Sequence, residues 1–194
     1  MNRNFDESEI NFLIDILHTK GITYLIGNNP SLQQDVTLDP GNLIMRLAAC
    51  GYPLLENACI SLFILYPDLA PSIVTAMQMS ETEIAENIAV VTLATLYLQQ
   101  WWFFRLTFAL GQLPSFPEAP FAFLWEERQL PSPADGNGRD GLLALQEYQQ
   151  QKYGLPLNFL DDWQNQINHL LAQTEAQQRL LPDDVKQTLV KLSA

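Results

Sequence analysis

Apolar residues along this chain recur mostly at helical spacing, and proline and glycine break the pattern into segments. In ESEINFLIDILHTKG, Ile10, Leu13, Ile14 and Leu17 fall on one face, Asp6 or Ser8 offers a cap, and Gly21 offers a stop. DPGNLIMRLAACG starts a helix at Pro40, YPLLENACISLFILYP starts another at Pro53 and stops before Pro67, and LAPSIVTAMQM starts again at Pro71. The run from Glu81 to Leu110 follows a Ser80/Glu83 capping box and ends at Gly111. It is long for one helix, so a break is expected near Gln99 and Gln100. GITYLIGNNPS reads as an extended linker, because no second strand stands ready to pair with it.

Beyond Gly111 the pattern changes. Prolines 114, 117, 120, 131 and 133 alternate with Phe116, Phe121, Phe123 and Trp125, which predicts an extended arm over 112–133. Leu142, Leu145 and Tyr148 mark a further helix closed by Gly154. Phe159, Trp163, Ile167, Leu170 and Leu171 mark the next, and a last helix is expected from Pro182. The expectation is an all-α bundle of about seven to eight helices around a long aromatic-rich central helix. Residues 1–133 form the main part, and 140–194 a helical hairpin and last helix on the same core, joined near 134–139.

The central segment poses the main question of the sequence. In LYLQQWWFFRLTFALG, Tyr97, Trp101, Phe104 and Phe108 form one stripe on a continuous helix, and Leu98, Trp102, Arg105 and Ala109 form the next face. A membrane span of about 20 apolar residues would have to hold Gln99, Gln100 and Arg105, the arginine costing roughly 2.5 to 3.5 kcal/mol at mid-bilayer. The stripe is therefore assigned to the core, with a dimer or partner surface as the alternative. Candidate interaction residues are Trp101, Trp102 and Arg105 with the arm residues Phe116, Phe121, Phe123 and Trp125. A rival reading makes Arg105, buried and assisted by Gln99, the anchor for an anionic ligand in an inter-helix cavity, unless a glutamate such as Glu81, Glu83 or Glu86 pairs with it.

Charge and composition narrow the classes. The 194 residues carry 22 acids against 10 Lys and Arg, a net charge of −12, with 47% hydrophobic residues. Nucleic acid is a poor partner for a chain whose few cations are scattered. Cys50 and Cys59 lack a CxxC pairing, which argues against zinc and against a disulfide framework; the polar, acidic MNRNFDESE is no signal peptide, and a cytoplasmic location is expected. Only His18 and His169 carry imidazole. Asp162, Gln166 and His169 recur at helical spacing, yet two ligands do not make a metal site. No phosphate loop, GxGxxG turn, GxSxG elbow or HExxH helix is present. No cofactor and no metal is expected.

Three partial resemblances add to this. Leu43, Leu47, Pro53, Ala58 and Leu62 are spaced as in a single HEAT-type helical hairpin, about residues 42–66, which implies two antiparallel helices in close contact. ILHTKGITYLIGN is similar to the opening of nucleotidyltransferase-fold proteins, with Asn28, Asn29, Pro30 and Ser31 where their turn begins and no DxD pair after it. The all-helical chain also resembles small helical ribonuclease toxins of the HEPN kind in size, without their RxxxxH signature. The last two imply at most an inactive accessory relative. The reading is thus a non-enzymatic adaptor, regulatory or accessory protein that binds a protein partner or a second copy of itself, a homodimer.

Overall fold

The computed structural model describes residues 7–26, 38–112, 114–154 and 159–180. Among them the chain forms nine α-helices and no strand: α1 (Glu7–Thr19), α2 (Pro40–Ala49), α3 (Pro53–Leu65), α4 (Ala70–Met79), α5 (Thr82–Trp101), α6 (Phe103–Leu110), α7 (Ala122–Glu127), α8 (Arg139–Tyr153) and α9 (Phe159–Leu180). The chain is an all-α bundle. Asp6, the turn at Asn28 to Ser31 and the helix expected from Pro182 lie outside the described residues.

Local signals set most boundaries. Asp39 accepts the Asn42 amide (3.1 Å) at the start of α2, with Pro40 behind it. Gly21 ends α1 and Gly154 ends α8 at φ of +77° and +66°, where a side chain would be strained. The Ser80/Glu83 box does not form. The helix begins one residue later, with Glu81 at the cap and no side-chain cap bond, so Glu83 falls out of the register that would reach back to Ser80.

The centre is α5, buried on every side from Ile88 to Gln99, with α2, α3, α4 and α8 packed around it and α9 lying against α3 and α6. Its two buried threonines satisfy themselves: Thr92 donates to Ile88 O and Thr95 to Val91 O, both at 2.7 Å. The segment near 134–139 is packed rather than loose, because Gly138 sits against the Tyr97 carbonyl and Trp101. One turn on, a Cβ at Gly141 would run into the Tyr97 ring. Gly141→Ala is therefore expected to lower stability by about 1–3 kcal/mol in urea melts, even though alanine is the better helix former by about 1 kcal/mol. Unchanged or raised stability would mean that α8 stands off α5.

The expected arm is only partly extended. Ala119–Phe121 forms a short 3-10 turn that leads into α7, since 121–130 holds no proline to interrupt it. Two of its aromatics turn inward. Phe116 and Phe121 are buried, stacked at 5.4 Å, and Phe116 stacks in turn on Phe63 of α3 at 5.6 Å. In this chain the arm packs on its own bundle, whose core supplies the apolar contacts of Phe116 and Phe121.

No single helix of the described residues is long and apolar enough to cross a membrane. Among the described residues α3 and the segment Pro67–Met79, a 3-10 turn running into α4, are together long and apolar enough, but they meet at 108° and most of α3 is buried in the core.

Candidate interaction surface

The break between α5 and α6 decides what this protein shows to its surroundings. Trp102 leaves the helix with φ −103° and ψ 16°, its amide still bonded to Leu98 O (2.8 Å), and α6 restarts at Phe103. The one-residue interruption changes the phase of the aromatic stripe. Tyr97 points into the core and donates its hydroxyl to Pro131 O (2.6 Å), whereas Phe104 and Phe108, one turn apart on α6, are 86% and 89% exposed. Leu106 and Ala109 are the residues that α6 buries. The expectation of a core stripe therefore holds for Tyr97 and fails for Phe104 and Phe108.

Other candidate residues sort around this face. Trp101 and Trp102 are half-buried and meet edge to face at 5.8 Å. Arg105, expected to be buried, is exposed: its guanidinium lies over the Trp102 ring at 4.4 Å, and no carboxylate of the described residues pairs with it. Eight-residue α6 has too little buried face to take a third residue inside. Gln99 is buried, with its amide oxygen accepting from Phe116 N (2.9 Å) and its nitrogen donating to Phe116 O (3.1 Å). Beside it Gln100 donates to Glu118 (2.7 Å). The two glutamines that looked out of place in an apolar helix are the clamp on the arm. Phe116 and Phe121 are core, Phe123 is 39% exposed and Trp125 half-buried.

α6 itself carries no acid. From Asn87 to Pro117 the only charged side chain is Arg105, in a chain whose net charge is −12. The sequence pattern makes Trp101, Trp102 and Arg105 interaction candidates and puts Phe104 and Phe108 in a stripe assigned to the core, with a partner surface as the alternative; their exposure follows only once the break is placed at Trp102 rather than at Gln99.

The remaining chemistry is quiet. His18 Nε2 lies 2.7 Å from Leu25 O, and His169 stacks on Tyr24 at 5.1 Å. Gln166 is buried and accepts the Tyr24 hydroxyl (2.9 Å), while Asp162 and His169 are exposed, so the three do not converge. No group of metal-ligating side chains occurs among the described residues. Burial pushes the Cys50 thiol up to about 11 and raises Cys59 as well, the reverse of an activated nucleophile.

No family model matches the chain, and neither a curated protein nor a solved structure matches it.

Proposed function

We propose that the protein is a non-enzymatic interaction module, an adaptor or accessory subunit, that works as a homodimer joined through the outer face of α6. The observation that carries this is the pair Phe104 and Phe108, each more than four-fifths exposed on one helical face. Together they hold on the order of 350 Å² of apolar surface in water. That is a large share of the roughly 800 Å² per partner that a stable interface covers, and Trp101, Trp102, Phe103 and Arg105 extend it. A second copy is the occupant that charge favours. Two chains of −12 repel wherever their acids face each other, and the acid-free stretch around α6 is where they can approach. Arginine over tryptophan beside two phenylalanines is also the composition of a binding hot spot. A reducing compartment such as the cytoplasm suits the two free thiols.

The test is a double variant, Phe104→Ser with Phe108→Ser. Because both side chains already face solvent, the melting temperature of the monomer unit should hold, while sedimentation should show the dimer lost or weakened by roughly a hundredfold or more. A variant that still dimerises like the parent, or one that unfolds, refutes the proposal.

A further inference from the structure

A second feature lies away from α6, at the far end of α5. There α2, α3, α5, α8 and α9 leave a cleft of about 290 Å³. Val90 and Val91 of α5 form an apolar floor, and Tyr153, Phe159 and Trp163 supply aromatic walls, Phe159 stacked on Trp163 at 5.5 Å. This is close to the lower size bound of small-molecule sites, which are about 300 Å³ or more and mostly apolar.

The charged groups on its walls are of one sign. Glu56 and Glu83 contribute carboxylates, and no lysine, arginine or histidine lines the cleft. Asn87 also lines it and gives its amide nitrogen to Ala48 O (3.2 Å). Gln149, only 3% exposed, gives its nitrogen to Glu86 (3.4 Å). Each of these bonds uses one N–H of a two-donor amide, and Asn57 lines the cleft as well, so the amides can offer carbonyl oxygens beside the carboxylates along with their remaining N–H groups. Acceptors, negative charge and aromatic faces converge on one space.

We infer that this cleft is a binding site for a small organic cation, an aryl- or alkylammonium whose N–H groups meet the acceptors and whose apolar part rests on Val90, Val91 and the aromatic rings. An ammonium matches the charge of the cleft. It donates to the amide oxygens, is charge-matched to Glu56 and Glu83, and is attracted by the ring faces. An anion meets the repulsion of both carboxylates there. A neutral ligand of the same shape keeps the apolar contact and loses the charge. The site is independent of the α6 surface, and neither needs the other.

The experiment is an NMR titration of the intact protein with three probes of matched size: benzylammonium, benzyl alcohol and benzoate. Benzylammonium should shift the side-chain amides of Asn87 and Gln149 and the Trp163 indole, benzyl alcohol should bind roughly tenfold or more weakly, and benzoate should not bind. Glu83→Gln and Glu56→Gln, both conservative and near the surface, should each weaken benzylammonium roughly threefold to tenfold and leave benzyl alcohol unchanged. Equal binding of amine and alcohol, binding of benzoate at these residues, insensitivity to both glutamine variants, or no shifts with benzylammonium up to about 50 mM overturns the inference.

Discussion

Phe121→Ala should destabilise the protein by about 3–5 kcal/mol, read as a fall in the urea midpoint at unchanged slope. Phe121 is fully buried, stacked on Phe116, which is itself pressed on Phe63. Removing the ring deletes its transfer free energy and opens a cavity beside Phe116, where the arm's 3-10 turn lies against α4, that the clamped backbone cannot collapse. The clamp is the Gln99 amide, which holds both backbone groups of Phe116. Whole domains are stable by only about 5–15 kcal/mol, so the loss would be a large part of the total. Phe123→Ala, at a ring 39% exposed, is the control and should cost less than about 1.5 kcal/mol. Were the two variants equal, or were the Phe121→Ala loss dependent on protein concentration, the arm would belong to another chain and not to its own core.

Glu86 is the second large effect. Its carboxylate meets Arg128 at 2.6 Å and Lys152 at 2.9 Å and also accepts from Gln149, tying α5 to the end of α7 and to α8; only 11% of the Glu86 and Arg128 side chains is open. Burial alone would raise this carboxyl, but the hydrogen bonds and charges of Arg128 and Lys152 together hold it below the ordinary value of 4.5. Glu86→Gln leaves the Arg128 guanidinium enclosed with only the exposed Glu127, 4.0 Å away, as counter-charge, and should cost about 3 kcal/mol at neutral pH, the lower end for breaking such a pair because Arg128 also keeps Leu124 O at 3.0 Å. Replacing both partners, Glu86→Gln with Arg128→Met, should cost less than the sum of the single changes.

The pH dependence follows from the sign of the shift. A carboxyl depressed by folding contributes stability that is complete above its unfolded value and drains away as pH falls from about 4.5 through the folded one. The parent should therefore lose more stability than Glu86→Gln on going from neutral pH to below 4.5. Parallel pH profiles for the two proteins would show that Glu86 is not held ionised by this network.

Much of the architecture is visible in the sequence where one residue type has one physical reason to be present. Pro40 and Pro53 begin helices, Gly21, Gly111 and Gly154 end them, and the stripe of Trp163, Ile167, Leu170 and Leu171 is buried as its spacing demands. What the sequence left obscure depends on phase and tertiary contact. The aromatic stripe is a property of an unbroken helix, and a single residue out of helical geometry at Trp102 sends Tyr97 inward and Phe104 outward. Gln99 is likewise ambiguous until the arm is in place: its two amide groups serve a backbone 17 positions away, which no local spacing encodes. The cleft draws on five helices, so its pairing of carboxylates with aromatic walls appears only when they are assembled.

The central claim is that α6 joins two copies of this chain, and the most direct measurement is the solution mass of the unaltered protein by light scattering across a dilution series. The account predicts twice the chain mass of 22.0 kDa at high concentration, falling toward 22.0 kDa on dilution. A mass of 22.0 kDa at every concentration would contradict it, as would growth without limit in place of a closed pair.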